Sequence, residues 1–194
     1  MKRNNIGKIF ITLGALLIIT AVFLFIFRSI FINKNISKAE SVVTTLYELV
    51  PEITDTTFDG RKNTDMASIQ IDGTDYIGIL EAPDFQLKLP ICSKSNQPDA
   101  KGLPYRYSGS IYDGSLILGG EDCKGQFEFL KTIDERTYLN ITDLDGNRYT
   151  YKVYSVERAS DCDSKILESH ECDLTLFGKS TFEMNWIIVR CKIV

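Results

Sequence analysis

Histidine occurs once in this chain of 194 residues, at His170, and no two cysteines stand at Cys-x-x-Cys spacing. Basic side chains, 22 in all, are outnumbered by 26 acidic ones. Each shortage excludes something. The cluster Cys162, His170 and Cys172 lacks the paired spacing of a structural zinc site, so no metal is expected, and nothing in the sequence calls for a cofactor. His170 and Cys172 stand at i and i+2, which on a strand share a face but lie roughly 7 Å apart, too far for a nucleophile–base hydrogen bond. Beyond residue 34 the chain keeps 17 basic against 26 acidic side chains, a net of −9, so nucleic acid and other polyanions have no general electrostatic reason to bind. Internal repeats and low-complexity segments are also absent.

What the chain does have begins with a long apolar run. Residues 9–32 hold one charge, Arg28, and Ile9 to Phe27 are uncharged. At 1.5 Å per residue this is enough to cross a hydrocarbon core of roughly 30 Å. A cleavable leader has a shorter apolar region and a small-residue cleavage site, which does not follow here, so the run reads as a retained signal anchor in membrane lipid. Lys2, Arg3 and Lys8 before it nearly balance Arg28, Lys34 and Lys38 after it, which leaves orientation to size. Residues 1–8 can hold no domain. They form a cytoplasmic stub, and a single-pass protein of the cell membrane with an extracellular C-terminal domain is expected.

Ser37 and Glu40 stand at capping-box spacing, and Val42, Val43, Leu46, Leu49 and Val50 form one helical stripe that Pro51 ends. This predicts a juxtamembrane amphipathic helix over 35–50, followed by a polar linker over 51–66. From residue 67 the pattern changes to short β runs with turn punctuation: "SIQI" and "YIGIL" joined by Asp72-Gly73, then "LKLPI", "SLILGG", "TYLNITD", "RYTYKVYSVE", "LTLF" and "WIIVR". One short helical stretch is expected near Phe127 to Lys131. About eight short strands with short helices predict an all-β fold, a closed β-barrel over 67–194.

Two local patterns have plainer accounts than they suggest. "DLDGNR" has the paired aspartates of a calcium loop but not its glutamate, and reads as a hairpin turn. Asn140-Ile141-Thr142 matches a glycosylation acceptor and reads as strand. Cys162 and Cys172 flank one loop and suit a disulfide in an oxidising compartment. The cysteine count of five leaves at least one thiol unpaired.

Three stretches, in order, resemble the sortases, membrane-anchored cysteine transpeptidases of Gram-positive bacteria, in the class B or class D form. They are "YIGILEAPDFQLKLPI", "PYRYSGSIYDGSLILGGEDCKGQFEFLKTI", and "YTYKV" with "LTLFGKSTFEMNWIIVRCKIV". The resemblance covers 67–194 and implies the barrel fold. It also implies a site in which a cysteine thiolate attacks a sorting-signal peptide, a histidine moves protons and an arginine supports the oxyanion. Here "LILGGE" places Glu121 where the family has histidine, "TLFGK" places Lys179 where it has cysteine, and "NWIIVRC" places Trp186 where it has arginine. Arg190 and Cys191 fall at strand positions that fix this register. All three catalytic positions are therefore substituted.

Two side chains near that site deserve weighing as replacements. A carboxylate beside Cys123 would disfavour its thiolate, and a carboxylate facing Lys179 would hold its amine protonated. Glu121 and Lys179 are expected to face each other as a salt bridge in the vacated site, with Thr175, Leu176, Phe177 and Asn185 lining the groove. Trp186 either fills space there or offers a ring to a bound peptide. The resemblance thus implies a catalytically degenerate sortase-like protein that binds or scaffolds a sorting-signal peptide, a surface protein or pilin substrate, or an active sortase. A working cysteine transpeptidase or hydrolase with a non-standard site, and a purely structural subunit of a membrane complex, are the alternatives.

Overall fold

The structure, a computed structural model, describes residues 3–56, 65–95, 102–168, 172–180 and 183–194. It divides into two compact units, Met1–Ser37 and Lys38–Val194. One helix, α1 (Arg3–Leu49), covers both the apolar run and the segment that the sequence pattern separates from it. No proline or glycine interrupts residues 15–50, so nothing breaks the backbone hydrogen-bond ladder, and Ser37 sits inside a helix rather than capping one. Pro51 stops it, just after the Val50 N–H donates to the Leu46 carbonyl at 2.9 Å. Phe10–Phe27 is long and apolar enough to cross a membrane, and none of it is buried.

In the second unit ten short strands follow: β1 (Thr54–Thr56), β2 (Ile69–Ile71), β3 (Thr74–Ala82), β4 (Leu87–Cys92), β5 (Tyr105–Ser108), β6 (Leu116–Glu121), β7 (Tyr138–Asp143), β8 (Asn147–Ala159), β9 (Leu174–Lys179) and β10 (Trp186–Ile193). The eight runs read from the sequence are all present. The two additional strands are short, β1 inside the expected linker and β5 before "SLILGG". A 3₁₀-helix at Phe127–Lys131 occupies the expected helical stretch, and a four-residue helix, α2 (Ser164–Leu167), precedes β9.

Pairing runs β8-β10-β9-β6-β5-β4-β3, and β7 joins β3 to β8, which closes a ring of eight strands with β1 and β2 added at its margin. Closure leaves no long open edge in the ring. Alternation then sorts side chains. Ile77, Leu89, Ile91, Leu118, Ile141, Tyr151, Leu176 and Val189 fill the barrel interior. The turn between β2 and β3 places Asp72 (φ 50°) and Gly73 (φ 81°) in the left-handed region, the conformation a tight hairpin demands.

On the outside, Ala39, Val42, Val43 and Leu46 of α1 pack on Tyr76, Ile79, Cys92 and Leu103. A polar latch borders this contact. The Tyr47 hydroxyl donates to Glu81 Oε1 at 2.7 Å, and Glu81 pairs with Lys88 at 2.9 Å and with Arg148 at 3.6 Å. Burial works against the Glu81 anion, but the hydrogen bonds from Lys88 and Tyr47 and the two cations outweigh it and hold the carboxyl below its ordinary range.

Both plain readings of local patterns fit the geometry. Asp143 is buried and accepts from the backbone N–H groups of Asp145 (3.0 Å) and Asn147 (2.8 Å) and from the Tyr112 hydroxyl (3.2 Å). Its lone pairs therefore hold the turn between β7 and β8. Asn140 lies in β7, where its Oδ1 accepts from the Thr150 hydroxyl at 3.0 Å.

Candidate functional site

The groove is built at the level where β6 and β9 end and β10 begins. β6 and β9 run parallel, with Gly119 opposite Phe177 and Glu121 opposite Lys179. β10 runs antiparallel to β9, with Trp186 opposite Lys179. Glu121 precedes Lys179 by 58 residues and Trp186 by 65, with β7 and β8 in between, yet the three occupy adjacent positions on three strands. Together with Tyr105, Asp122, Cys123 and Phe177 they line an open groove of about 460 Å³.

Aromatic rings make much of its wall. Phe177 is the hub, with ring centroids 5.3 Å from Tyr107, 6.5 Å from Tyr105 and 6.0 Å from Trp186. The two tyrosines meet Phe177 edge to face, the arrangement that the ring quadrupole favours. Gly119 makes this closeness feasible. A Cβ there would stand 2.5 Å from Tyr105 Cζ and 2.8 Å from Phe177 Cζ. Burial, followed by the Glu121 charge, raises the Tyr105 hydroxyl above its ordinary range, so it stays protonated as a donor at neutral pH.

The expected Glu121–Lys179 salt bridge does not form. Lys179 Nζ instead lies over the Trp186 indole, 5.7 Å from its centroid, while Glu121 Oε2 lies 3.9 Å from Cys123 Sγ. An exposed lysine gains little from an ion pair in water, and a ring face nearby is a comparable alternative. Asp122, half-buried on the groove wall, pairs with Lys131 at 2.6 Å.

Of the four expected groove residues, Phe177 alone lines this groove. Leu176 points into the barrel because adjacent residues of a strand face opposite sides. Thr175 shares the outer face with Phe177 but lies two residues away, in a neighbouring cleft beside Ser108, Asp113 and Cys172. Asn185 serves the β9–β10 turn, where its carbonyl accepts from the Ser180 N–H at 2.8 Å. Tyr105 and Tyr107 escaped the sequence reading because β5 was not read as a strand. The alternating "YRY" was the available signal.

The expected Cys162–Cys172 disulfide is not formed, and all five cysteines are thiols. Cys172 is buried with its Sγ 3.3 Å from Thr175 Oγ1, and Cys162 packs beside Ile117, Phe177 and Trp186. Burial, with Asp161 and Asp163 adding, raises the Cys162 thiol. His170 lies outside the described residues, so the cluster Cys162, His170, Cys172 cannot be assembled from them. Among the described residues no group of three His, Cys, Asp or Glu side chains could hold a metal.

Arg190 does not reach the groove. It is the register partner of Thr175, and its Nε donates to Glu157 at 3.0 Å while Nη2 donates to the Ile166 carbonyl at 2.6 Å. It thereby ties the segment containing α2 to the sheet.

No family model and no curated sequence matches the chain, so its likeness to known proteins rests on three-dimensional form. Sortase A from Corynebacterium diphtheriae superposes with a TM-score of 0.55 at 17% identity, covering 84% of this chain and 83% of that one. Sortase C1 from Streptococcus agalactiae gives 0.53 at 19% identity, over 68% and 72% of the two chains. The catalytic domain of SrtD from B. anthracis gives 0.50 at 19% identity, over 69% and 94%. The barrel therefore has a sortase-like fold.

Proposed function

We propose that this is a single-pass membrane protein whose exported sortase-fold domain binds an extended peptide without cleaving it. The peptide is a sorting-signal segment of a surface protein or pilin subunit, or a segment of an active sortase. One observation supports this most: at the level where β6 and β9 end and β10 begins, the groove holds Glu121, Lys179 and Trp186, with the lysine on the indole face. A groove walled by Phe177, Trp186 and Tyr105 suits side chains of a bound chain.

Trp186 is the sole tryptophan, so its emission reports on this groove alone. Titrating the full chain in lipid nanodiscs with a sorting-signal peptide is expected to give a saturable emission shift that Phe177→Ala weakens. No shift at any concentration would leave the structural reading, a barrel that stabilises a membrane complex.

The enzyme reading keeps one specific support, since Cys123 lines the same groove. Its Sγ lies 3.9 Å from Glu121 Oε2. Intact-mass analysis after exposure to a thiol-reactive sorting-signal mimic separates the two, because a peptide adduct on Cys123 requires the enzyme reading.

A further inference from the structure

On the face of the barrel formed by β7, β8 and β10, Tyr138, Lys152 and Lys192 lie in one row. Tyr138 is the register partner of Lys152, and Lys152 is the register partner of Lys192. All three point outward, since the alternate positions Leu139, Tyr151, Val153 and Cys191 are buried in the barrel. Directly opposed side chains of neighbouring strands have Cβ atoms roughly 5 Å apart, and like charges in that relation repel. The chain carries this repulsion in a domain with a large acidic excess, where an acidic partner for either lysine would be easy to supply.

Each lysine is instead turned onto a tyrosine. Lys152 Nζ lies 6.0 Å from the Tyr138 ring centroid, and Lys192 Nζ lies 4.5 Å from that of Tyr154. Neither is in an ion pair among the described residues. The two tyrosines stay wet, at 46% and 52% exposure. Two opposed lysines flanked by two exposed phenols make a surface with an apolar body and a cationic centre. A phosphodiester entering between the ammonium groups would relieve their repulsion, and the phenols match the depth at which tyrosine settles among lipid headgroups.

We infer that this face docks on anionic phospholipid headgroups of the membrane, with one phosphate shared by Lys152 and Lys192. The lipid is favoured over a soluble anion because the apolar segment Phe10–Phe27 would hold the domain beside a bilayer, where a weak contact is raised by effective concentration. The inference rests on that segment being a retained anchor, and is independent of what the groove binds.

Lysine footprinting tests it. The full chain, reconstituted in nanodiscs of phosphatidylcholine alone or mixed with phosphatidylglycerol, is pulse-acetylated and digested for mass spectrometry. Lys152 and Lys192 should react at least about threefold more slowly in the anionic discs, while Lys88 and Lys165 hold their ratio, and added salt should remove the protection. Equal rates in the two discs would overturn the inference. So would equal protection by inorganic phosphate in neutral discs, which would make the row a site for a free anion. A chain cleaved after its apolar segment would fail to co-purify with the discs, which refutes the anchor and not the face. The released chain is then footprinted with vesicles of the same two compositions, and the same two outcomes apply.

Discussion

Lys179 and Trp186 are opposed residues of β9 and β10, and the lysine ammonium stands 5.7 Å from the indole centroid. Cross-strand pairing makes this contact a property of the sheet and not of a loop. Lys179→Met removes the cation and keeps the length of the side chain. It is expected to shift the emission of Trp186 while changing stability by no more than about 0.5 kcal/mol, as for other exposed positions. Steady-state fluorescence and urea unfolding measure the two effects.

Gly119→Ala should do the reverse. The new methyl group would meet the Tyr105 and Phe177 rings at 2.5 and 2.8 Å, and both rings are held by neighbours. Overpacking of this kind costs about 1–3 kcal/mol, and the wall of the groove would have to open. Urea unfolding should show the loss, and peptide titration should show a weakened emission change.

Glu81 gives the barrel a defined acid response. Its carboxyl is lower in the folded state than in the unfolded chain, so its contribution is complete above the unfolded value of about 4.3 and is lost as pH falls through the lower folded value. Glu81→Gln should flatten that acid limb and cost about 1–3 kcal/mol at neutral pH, since Tyr47, Lys88 and Arg148 lose their shared anion. Unfolding midpoints at neutral pH and near pH 3 provide the comparison.

Thiol reactivity should follow burial. Burial pushes the Cys92 thiol up to about 12 and raises the Cys191 thiol as well. Neither should react with iodoacetamide until the domain unfolds, whereas Cys123, on the groove wall, should be alkylated first. Time-resolved peptide mapping gives the order, and early labelling of Cys92 would contradict the packing of α1 over it.

Arg190→Ala is expected to loosen the segment containing α2 more than the barrel. It removes the donor to the Ile166 carbonyl and the partner of Glu157, at a cost of about 2 kcal/mol because Glu157 is half-exposed. Limited proteolysis should cut near residues 160–168 before the sheet opens.

Much of the fold was legible because period-two alternation and Asp-Gly turns are local signals. The seven ring strands other than β5 carry them plainly, while β5 has only four residues and β1 only three. The continuity of α1 was hidden because Ser37 and Glu40 match a capping box that an uninterrupted apolar-to-polar helix has no need to use. At the site, strand order brought Glu121, Lys179 and Trp186 to one level, as the register of the three stretches implied. What could not be read was side-chain choice: that Lys179 would take the indole over Glu121, that Leu176 would face inward, and that Tyr107 would reach Phe177 from a strand too short to recognise.

The parallel contact between β6 and β9 also fixes an order of assembly. Glu121 is synthesised well before Lys179, and until β9 and β10 enter side by side the sheet has two unpaired edges, one on β6 and one on β8. Contacts so distant in sequence form late and slowly, and open strand edges invite pairing with other chains. The groove is therefore the last part of the barrel to exist, and a nascent chain short of Thr175 is the species that a chaperone would have to guard.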